Sequence, residues 1–361
     1  MSPPLVSVVM PTFNRERYIA TAIASILGQH HHELELLVID DGSTDRTPEI
    51  AASFKDSRVR LIRHEHNQGI AVSRNHGLAL ARGQYVANLD SDDLAHPRRL
   101  ALQVAFLEAY PDLAALGTWT WNIDAGGNPL PFWRSKKRSG NPVHPADIQA
   151  QLLFHVSVRN SSLMGRTELL RTYGYREDFP LSQDYELLTR LTRDHRVANL
   201  PIRLTGLRHH PEQTTQLKAA LKKGRLQAIA AQQLQWLGLC PSSEDLEYHY
   251  WLLPRRGSLG QRPPIDATYL DWLNQWFASI EQANRASGFM EPRALRHTLA
   301  VVYLAFWVRA LRTNQGKYPH LAKSFRHDYL ASGLAVIPHA LWTSGWAYLR
   351  TWAQNLNAGS R

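Results

Sequence analysis

A chain of 361 residues, 44% hydrophobic and 20% charged, has the length for two cores and the make-up of a folded protein, which excludes a disordered or fibrous class. Its single cysteine, Cys240, excludes an internal disulfide and a zinc ribbon, so any metal must be held by oxygen or imidazole. The net charge of +10 is a C-terminal property: residues 1–214 hold 24 Lys+Arg against 23 Asp+Glu and residues 215–361 hold 17 against 8, an excess that suits either an anionic partner or solvated helix faces.

The N-terminus carries no basic segment followed by an apolar core, so no secretory signal is read there and a cytoplasmic setting is expected. Apolar runs at 5–10 and 34–39 predict buried strands, the first ended by Pro11 and the second by Asp40-Asp41-Gly42. Between them Tyr18, Ile19, Ala22, Ile23, Ile26 and Leu27 recur at helical spacing. The pattern repeats with strands at 59–62 and 85–89, a helix near 71–81, and a helix at 98–109 that Pro97 can open. Such alternation predicts an α/β fold, a mostly parallel sheet with helices on both faces. Residues 113–121 read as a further strand and 124–128 as a turn, and Ser182 can cap a helix reaching Asp194. Beyond a boundary near 211–215 the chain becomes mainly helical, with helices expected at 216–237, 266–286 and 292–313. The expected domains are therefore 1–214 and 215–361.

Open sheets of this class bind ligands beyond the carboxyl ends of their strands. The residues to weigh are Pro11, Thr12, Asn14 and Arg15 after the first strand, Asp40 and Asp41 after the second, and Asp90, Ser91, Asp92 and Asp93 after the fourth. No Gly-x-Gly-x-x-Gly follows the first strand, which disfavours a dinucleotide enzyme. Three carboxylates within residues 90–93 repel one another, so a divalent cation is an economical partner if they converge; an acidic helix cap is the plainer alternative. A carboxylate at 40 or 41 can accept from a nucleobase N–H or a ribose hydroxyl, or simply make a turn. Arg74 can meet a diphosphate through two N–H groups, or lie on the surface.

In combination these stations resemble the family 2 glycosyltransferases, inverting enzymes of the GT-A fold. The resemblance rests on Ser7-Val8-Val9-Met10-Pro11-Thr12-Phe13-Asn14-Arg15, Val38-Ile39-Asp40-Asp41-Gly42-Ser43, Ser73-Arg74-Asn75, Leu89-Asp90-Ser91-Asp92-Asp93 and Gln183-Asp184-Tyr185-Glu186, and covers about residues 5–214. It implies a Rossmann-like catalytic domain and transfer of a sugar from a nucleotide-diphosphate sugar to a saccharide or lipid-linked acceptor, in bacterial surface polysaccharide assembly. It further implies that Pro11, Thr12, Asn14, Arg15, Asp40, Asp41 and Arg74 line the donor site, with Asp41 facing the base, and that Asp90, Ser91 and Asp92 meet ribose and diphosphate. Mn2+ or Mg2+ would be held by Asp92, Asp93 and, after an Arg-x-His segment formed by Arg208 and His210, by His210; a structural role for that histidine stays open. Asp184 matches the general base, although a carboxylate in a first helical turn is stabilised as an anion, and Gln183 replaces the glutamate that many members carry before it.

Two rivals belong to other classes: a noncatalytic anion-binding module on the same fold, and a metal-dependent phosphohydrolase. Nucleic acid is not expected as a partner, because the cleft is acidic and no base-reading motif accompanies the positive tail. The C-terminal region, with Lys218, Lys222, Lys223, Arg225, Trp307 and Arg309 and then Trp342, Trp346, Trp352, Arg350 and Arg361, fits a peripheral contact with the inner face of an anionic membrane, a homo-oligomer interface or a soluble bundle.

Overall fold

The computed structural model describes residues 3–130, 141–179, 181–210, 219–252, 263–314 and Tyr329, without the side chains of 219–222 and 311–314. The boundary at 211–215, Lys218, the Lys222 side chain and every tryptophan and arginine singled out beyond 340 lie outside that description. The chain divides into two compact units, residues 1–145 with 157–214 and residues 146–156 with 215–361. Residues 146–156, inside the expected range 1–214, thus go with the second unit.

The first unit begins with β1 (Val6–Thr12), α1 (Ile19–Leu27), β2 (Leu34–Asp40), α2 (Thr47–Ser53), β3 (Val59–Arg63), α3 (Ile70–Leu80) and β4 (Tyr85–Asn88). Every residue of β1, β2 and β4 is buried, which is why these strands read as continuous apolar runs without alternation. β1 pairs in parallel with β2 on one side, Thr12 opposite Asp40, and with β4 on the other, while β3 lies outside β2. The chain therefore runs outward from β1 to β3 and returns across the sheet to β4. Right-handed crossovers then put α1 and α2 on one face and α3 on the other, and open a crevice at the carboxyl ends of β1 and β4 where the strand order reverses.

The rest of this unit is β5 (Leu94–Ala95), α4 (Arg99–Ala109), β6 (Leu113–Ile123), α5 (Pro145–Leu152), which crosses into the second unit, β7 (Met164–Arg166), α6 (Thr167–Tyr173), α7 (Gln183–Asp194) and β8 (Arg196–Arg208). The sheet order is β3-β2-β1-β4-β7-β6-β8-β5. β7 is antiparallel to both β4 and β6, β5 is antiparallel to β8, and β6 and β8 run parallel, so the sheet is mixed beyond β4. Helix α7 starts where expected, but Ser182 does not cap it: its φ is 64° and its hydroxyl takes no helix N–H.

The second unit is helical: Ala219–Trp236, Ser243–Trp251, Ala267–Ser287 and Pro292–Asn314. Tyr269, Leu270, Leu273, Trp276, Phe277 and Ile280 form the buried stripe of the third helix and join Trp251, Tyr303 and Phe306 in an aromatic core. Ser242 and Asp245 form a reciprocal cap that satisfies two orphan donors, and Gly288 ends the long helix in the left-handed region. Two of the basic residues are engaged within this unit: Lys223 meets Glu247 at 2.6 Å and Arg309 donates to the Trp251 carbonyl at 2.5 Å. No described helix is long and apolar enough to cross a membrane.

Candidate active site

The carboxyl ends of β1, β2 and β4 bring the expected stations into one neighbourhood of the first unit. Pro11 is buried in β1 opposite Ile39, and the Thr12 carbonyl accepts the Asp41 N–H at 2.9 Å. The Thr12 hydroxyl is buried without a hydrogen-bond partner among the described residues. Asn14 sits at φ 51°, a conformation Asn tolerates, and its side chain accepts the Thr44 N–H at 2.9 Å while its own N–H donates to the Ser43 hydroxyl at 2.9 Å. The loop after β1 is thereby tied to the loop after β2.

The adjacent aspartates of β2 do different work. Asp40 is fully buried, accepts the Ser43 N–H at 3.3 Å and lies 3.2 Å from the Arg63 guanidinium. The Asp41 carboxylate takes His64 Nδ1 at 2.8 Å and the Gln68 N–H at 3.0 Å on one oxygen, and the Gly69 N–H at 2.8 Å on the other. A carboxylate offers about four acceptor positions, so one remains on the second oxygen. Gly42, which follows Asp41, has φ 75°, and a Cβ there would stand 2.7 Å from the His66 backbone. Only glycine fits that approach.

The β4 end is an acidic cluster balanced by cations. Asp90 pairs with Arg74 at 2.8 Å, and Arg74 also faces the Asn160 amide and lies over the Tyr175 ring at 5.3 Å. Burial pulls the Arg74 pKa down, but the Asp90 and Asp184 charges and the hydrogen bond to Asp90 hold the guanidinium above its ordinary value. Asp92 lies 2.9 Å from His210 Nε2 and 3.6 Å from Arg15 Nε, and His210 Nδ1 is buried without a partner among the described residues. Ser91 is buried in the same turn.

Asp93, expected among the metal ligands, instead turns inward and accepts the Arg208 N–H at 2.9 Å. Burial, reinforced by the Asp92 and Asp90 charges, raises its pKa well above the ordinary carboxylate value. The Arg208 guanidinium closes the turn from behind, donating to the Asp92 carbonyl at 2.6 Å and the Ala125 carbonyl at 3.0 Å over the Tyr18 ring. Among the described residues no three His, Cys, Asp or Glu side chains are already gathered as a metal cage. Asp92 and His210 nonetheless fit Mn2+ or Mg2+, because such ions in phosphate chemistry commonly take one or two protein ligands and complete their shell with phosphate oxygens and water.

Asp184 is half-buried in the first turn of α7, and its carboxylate makes no hydrogen bond or ion pair with the described residues. Glu186, two residues on, is committed to Arg190 at 2.7 Å. Asp184 lies in the electrostatic range of Arg74, Arg159 and Tyr175. The segment Asn160–Ser162 forms a 3-10 turn beside this carboxylate's neighbours, with the Ser161 hydroxyl accepting the Asp90 N–H at 3.2 Å.

Several contributors were not foreseen. His64 occupies the carboxyl end of β3, so the same rule that selected Asp40 and Asp90 could have found it. Tyr175, whose hydroxyl accepts from Asn88 at 2.7 Å, and Arg159 carry no local sign of their role. Burial lifts the Tyr175 pKa to about 12, so its hydroxyl keeps its proton. Trp119 donates to the Asn141 carbonyl at 2.9 Å and Trp236 packs against Phe289.

Residues 7–171 match the family described as Glycosyl transferase family 2. An "Uncharacterized glycosyltransferase" of Haemophilus influenzae is 32% identical over 223 residues, 59% of this chain and 68% of the relative. The Escherichia coli UDP-Glc:alpha-D-GlcNAc-diphosphoundecaprenol beta-1,3-glucosyltransferase WfgD is 40% identical over 107 residues, 30% of this chain and 42% of that protein. Among solved structures, S. aureus TarS 1-349 in complex with UDP-GlcNAc matches in fold with a TM-score of 0.56 at 17% identity, over 90% of this chain and 93% of that one.

Proposed function

The chain belongs to the family 2 glycosyltransferases, and on that footing we propose that it moves a sugar from a nucleotide-diphosphate donor to a hydroxyl of a saccharide or lipid-linked acceptor, with inversion, in surface polysaccharide assembly. One observation carries the reading: within a single unit, Asp41 at the end of β2 keeps a spare acceptor position, Arg15 of the loop after β1 stands 3.6 Å from Asp92, which meets His210, and Arg74 pairs with Asp90 while lying in the field of the uncommitted Asp184. The name of the E. coli relative, which joins glucose to a diphospholipid-linked sugar, supports a lipid-linked acceptor, and the UDP-GlcNAc complex of the TarS structure supports a UDP-sugar donor.

Each residue has a task. Asp41 takes the base N–H on its remaining oxygen lone pair, and the unpartnered Thr12 hydroxyl offers a further contact on that side. Asp92 and His210 would hold Mn2+ or Mg2+, which when bound neutralises the charge developing on the diphosphate leaving group. Arg74 adds a guanidinium beside Asp90. Asp184 removes the proton from the acceptor hydroxyl as that oxygen attacks the anomeric carbon from the face opposite the diphosphate. One displacement suffices, and no enzyme nucleophile is needed.

Thermal shift with UDP-, GDP- and dTDP-sugars, each with and without Mn2+, tests the donor: stabilisation by one sugar nucleotide, larger with the ion, is expected. Asp184→Asn should bind that donor as the parent does while turnover falls about 10^2- to 10^4-fold. No response to any donor, or near-normal turnover in the variant, would overturn the proposal.

A further inference from the structure

The donor side of the crevice contains two imidazoles that the proposed chemistry leaves unused. His64 is buried, with Nδ1 2.8 Å from the Asp41 carboxylate and Nε2 2.9 Å from Nδ1 of His76, and the two rings stack at 5.2 Å with 7° between their planes. His76 is half-buried on α3, immediately after Arg74 and Asn75. Arg74 reaches Asp90, and Asn75 exchanges hydrogen bonds with the Tyr175 backbone, donating at 2.8 Å and accepting at 2.8 Å. One turn of helix thus holds three walls of the site.

We propose that His64 is a positioning residue for donor recognition, acting through Asp41, and that His76 holds the His64 ring in place through its Nδ1. The proposal rests on Asp41 being the base-facing group.

The hydrogen inventory fixes the logic. A carboxylate only accepts, so His64 Nδ1 must carry hydrogen. With both rings neutral, His64 Nε2 is then an acceptor and His76 Nδ1 donates to it. Without the His64 ring, Asp41 loses the donor that shares an oxygen with the Gln68 N–H, and the 64–69 loop loses an anchor.

Two measurements on the full-length protein test this. Hydrogen exchange of the peptide spanning 64–72, without nucleotide, reads the Gln68 and Gly69 amides; titration with UDP, then GDP and dTDP if UDP is silent, reads the base site. His64→Leu should lower protection of those amides and weaken nucleotide binding about tenfold, raising the donor KM with little change in kcat. His64→Asn, which returns an N–H near the Nδ1 position, should restore most of the affinity. His76→Ala, which removes the partner of His64 Nε2, should lower the same protection by less than His64→Leu does. Unchanged protection and unchanged affinity in His64→Leu, with binding intact in the parent, would overturn the positioning role alone. Failure of the parent to bind all three nucleotides would overturn the donor reading and, with it, the donor role given to His64.

Discussion

The two acidic stations on this crevice are assembled in opposite ways. At the end of β2, Asp41 is neutralised by hydrogen bonds from backbone amides and one imidazole, a set that needs no neighbouring full charge. At the end of β4, Asp90, Asp92 and Asp93 stand close enough for their charges to act on one another, and they are held by Arg74, Arg15, His210 and the Arg208 clasp. The first station is satisfied before any ligand arrives, apart from one acceptor position. The second stores repulsion that a bound cation relieves. Under the proposed function, the first would meet a neutral base edge and the second a charged diphosphate.

Substitutions can break the contrast. Arg208→Ala should do the most damage, about 3 kcal/mol of unfolding free energy, because it leaves the Asp92 and Ala125 carbonyls and a carboxylate cluster without their buried cation. Chemical denaturation would measure it, and Arg208→Lys should recover little, since an ammonium cannot reach all of these partners in the guanidinium's plane. Gly42→Ala should cost about 2 kcal/mol from the left-handed backbone and the approach to His66, visible as a lowered Tm with the donor response weakened too. If that variant kept full stability, the view of the β2 station as a rigid, preformed acceptor would fail.

A smaller effect is expected from Asp92→Asn: donor binding with Mn2+ present should weaken about tenfold, while binding without the ion changes little. Calorimetric titration in the two conditions reads the difference, and an equal loss in both would argue that Asp92 acts without metal. The smallest effect has the most informative sign. Asp93 has a raised folded-state pKa, so folding favours its protonated form: its contribution to stability is fullest below the ordinary carboxylate value of 3.8 and is lost as pH rises through the folded value. Asp93→Asn, which keeps an acceptor for the Arg208 N–H, should therefore melt higher than the parent at pH 8 and converge with it on acidification. A variant that melts lower at pH 8 would mean the negative charge of Asp93 is stabilising.

How much of this could be read from the chain alone follows from range. Val6, Val8 and Val9 announce a buried strand because burial on both sheet faces demands an unbroken apolar run, and polar residues after such runs announce the crevice because strand ends are where side chains leave the sheet. Pro11, Asp41 and Asp92 were legible for that reason, whereas Asp184, in the first turn of a helix, stood out only through the family resemblance. The left-handed Ser182 was not legible, because a residue that favours caps gave no sign of the backbone turn imposed on it. Nor was the placement of β7 between β4 and β6, where a three-residue strand is too short to show a period.

The sequence by itself determined the α/β alternation, the positions of the carboxylates along the chain and the family to which they belong, since all three depend on local spacing. Only the tertiary structure decided what each carboxylate does. Asp92 and Asp93 are neighbours of one chemical type, yet one meets His210 at the crevice and the other turns inward to the Arg208 backbone. Partners 115–118 residues away make that choice, because the charge state and direction of a buried acid are set by the groups folded around it and not by those beside it in the chain.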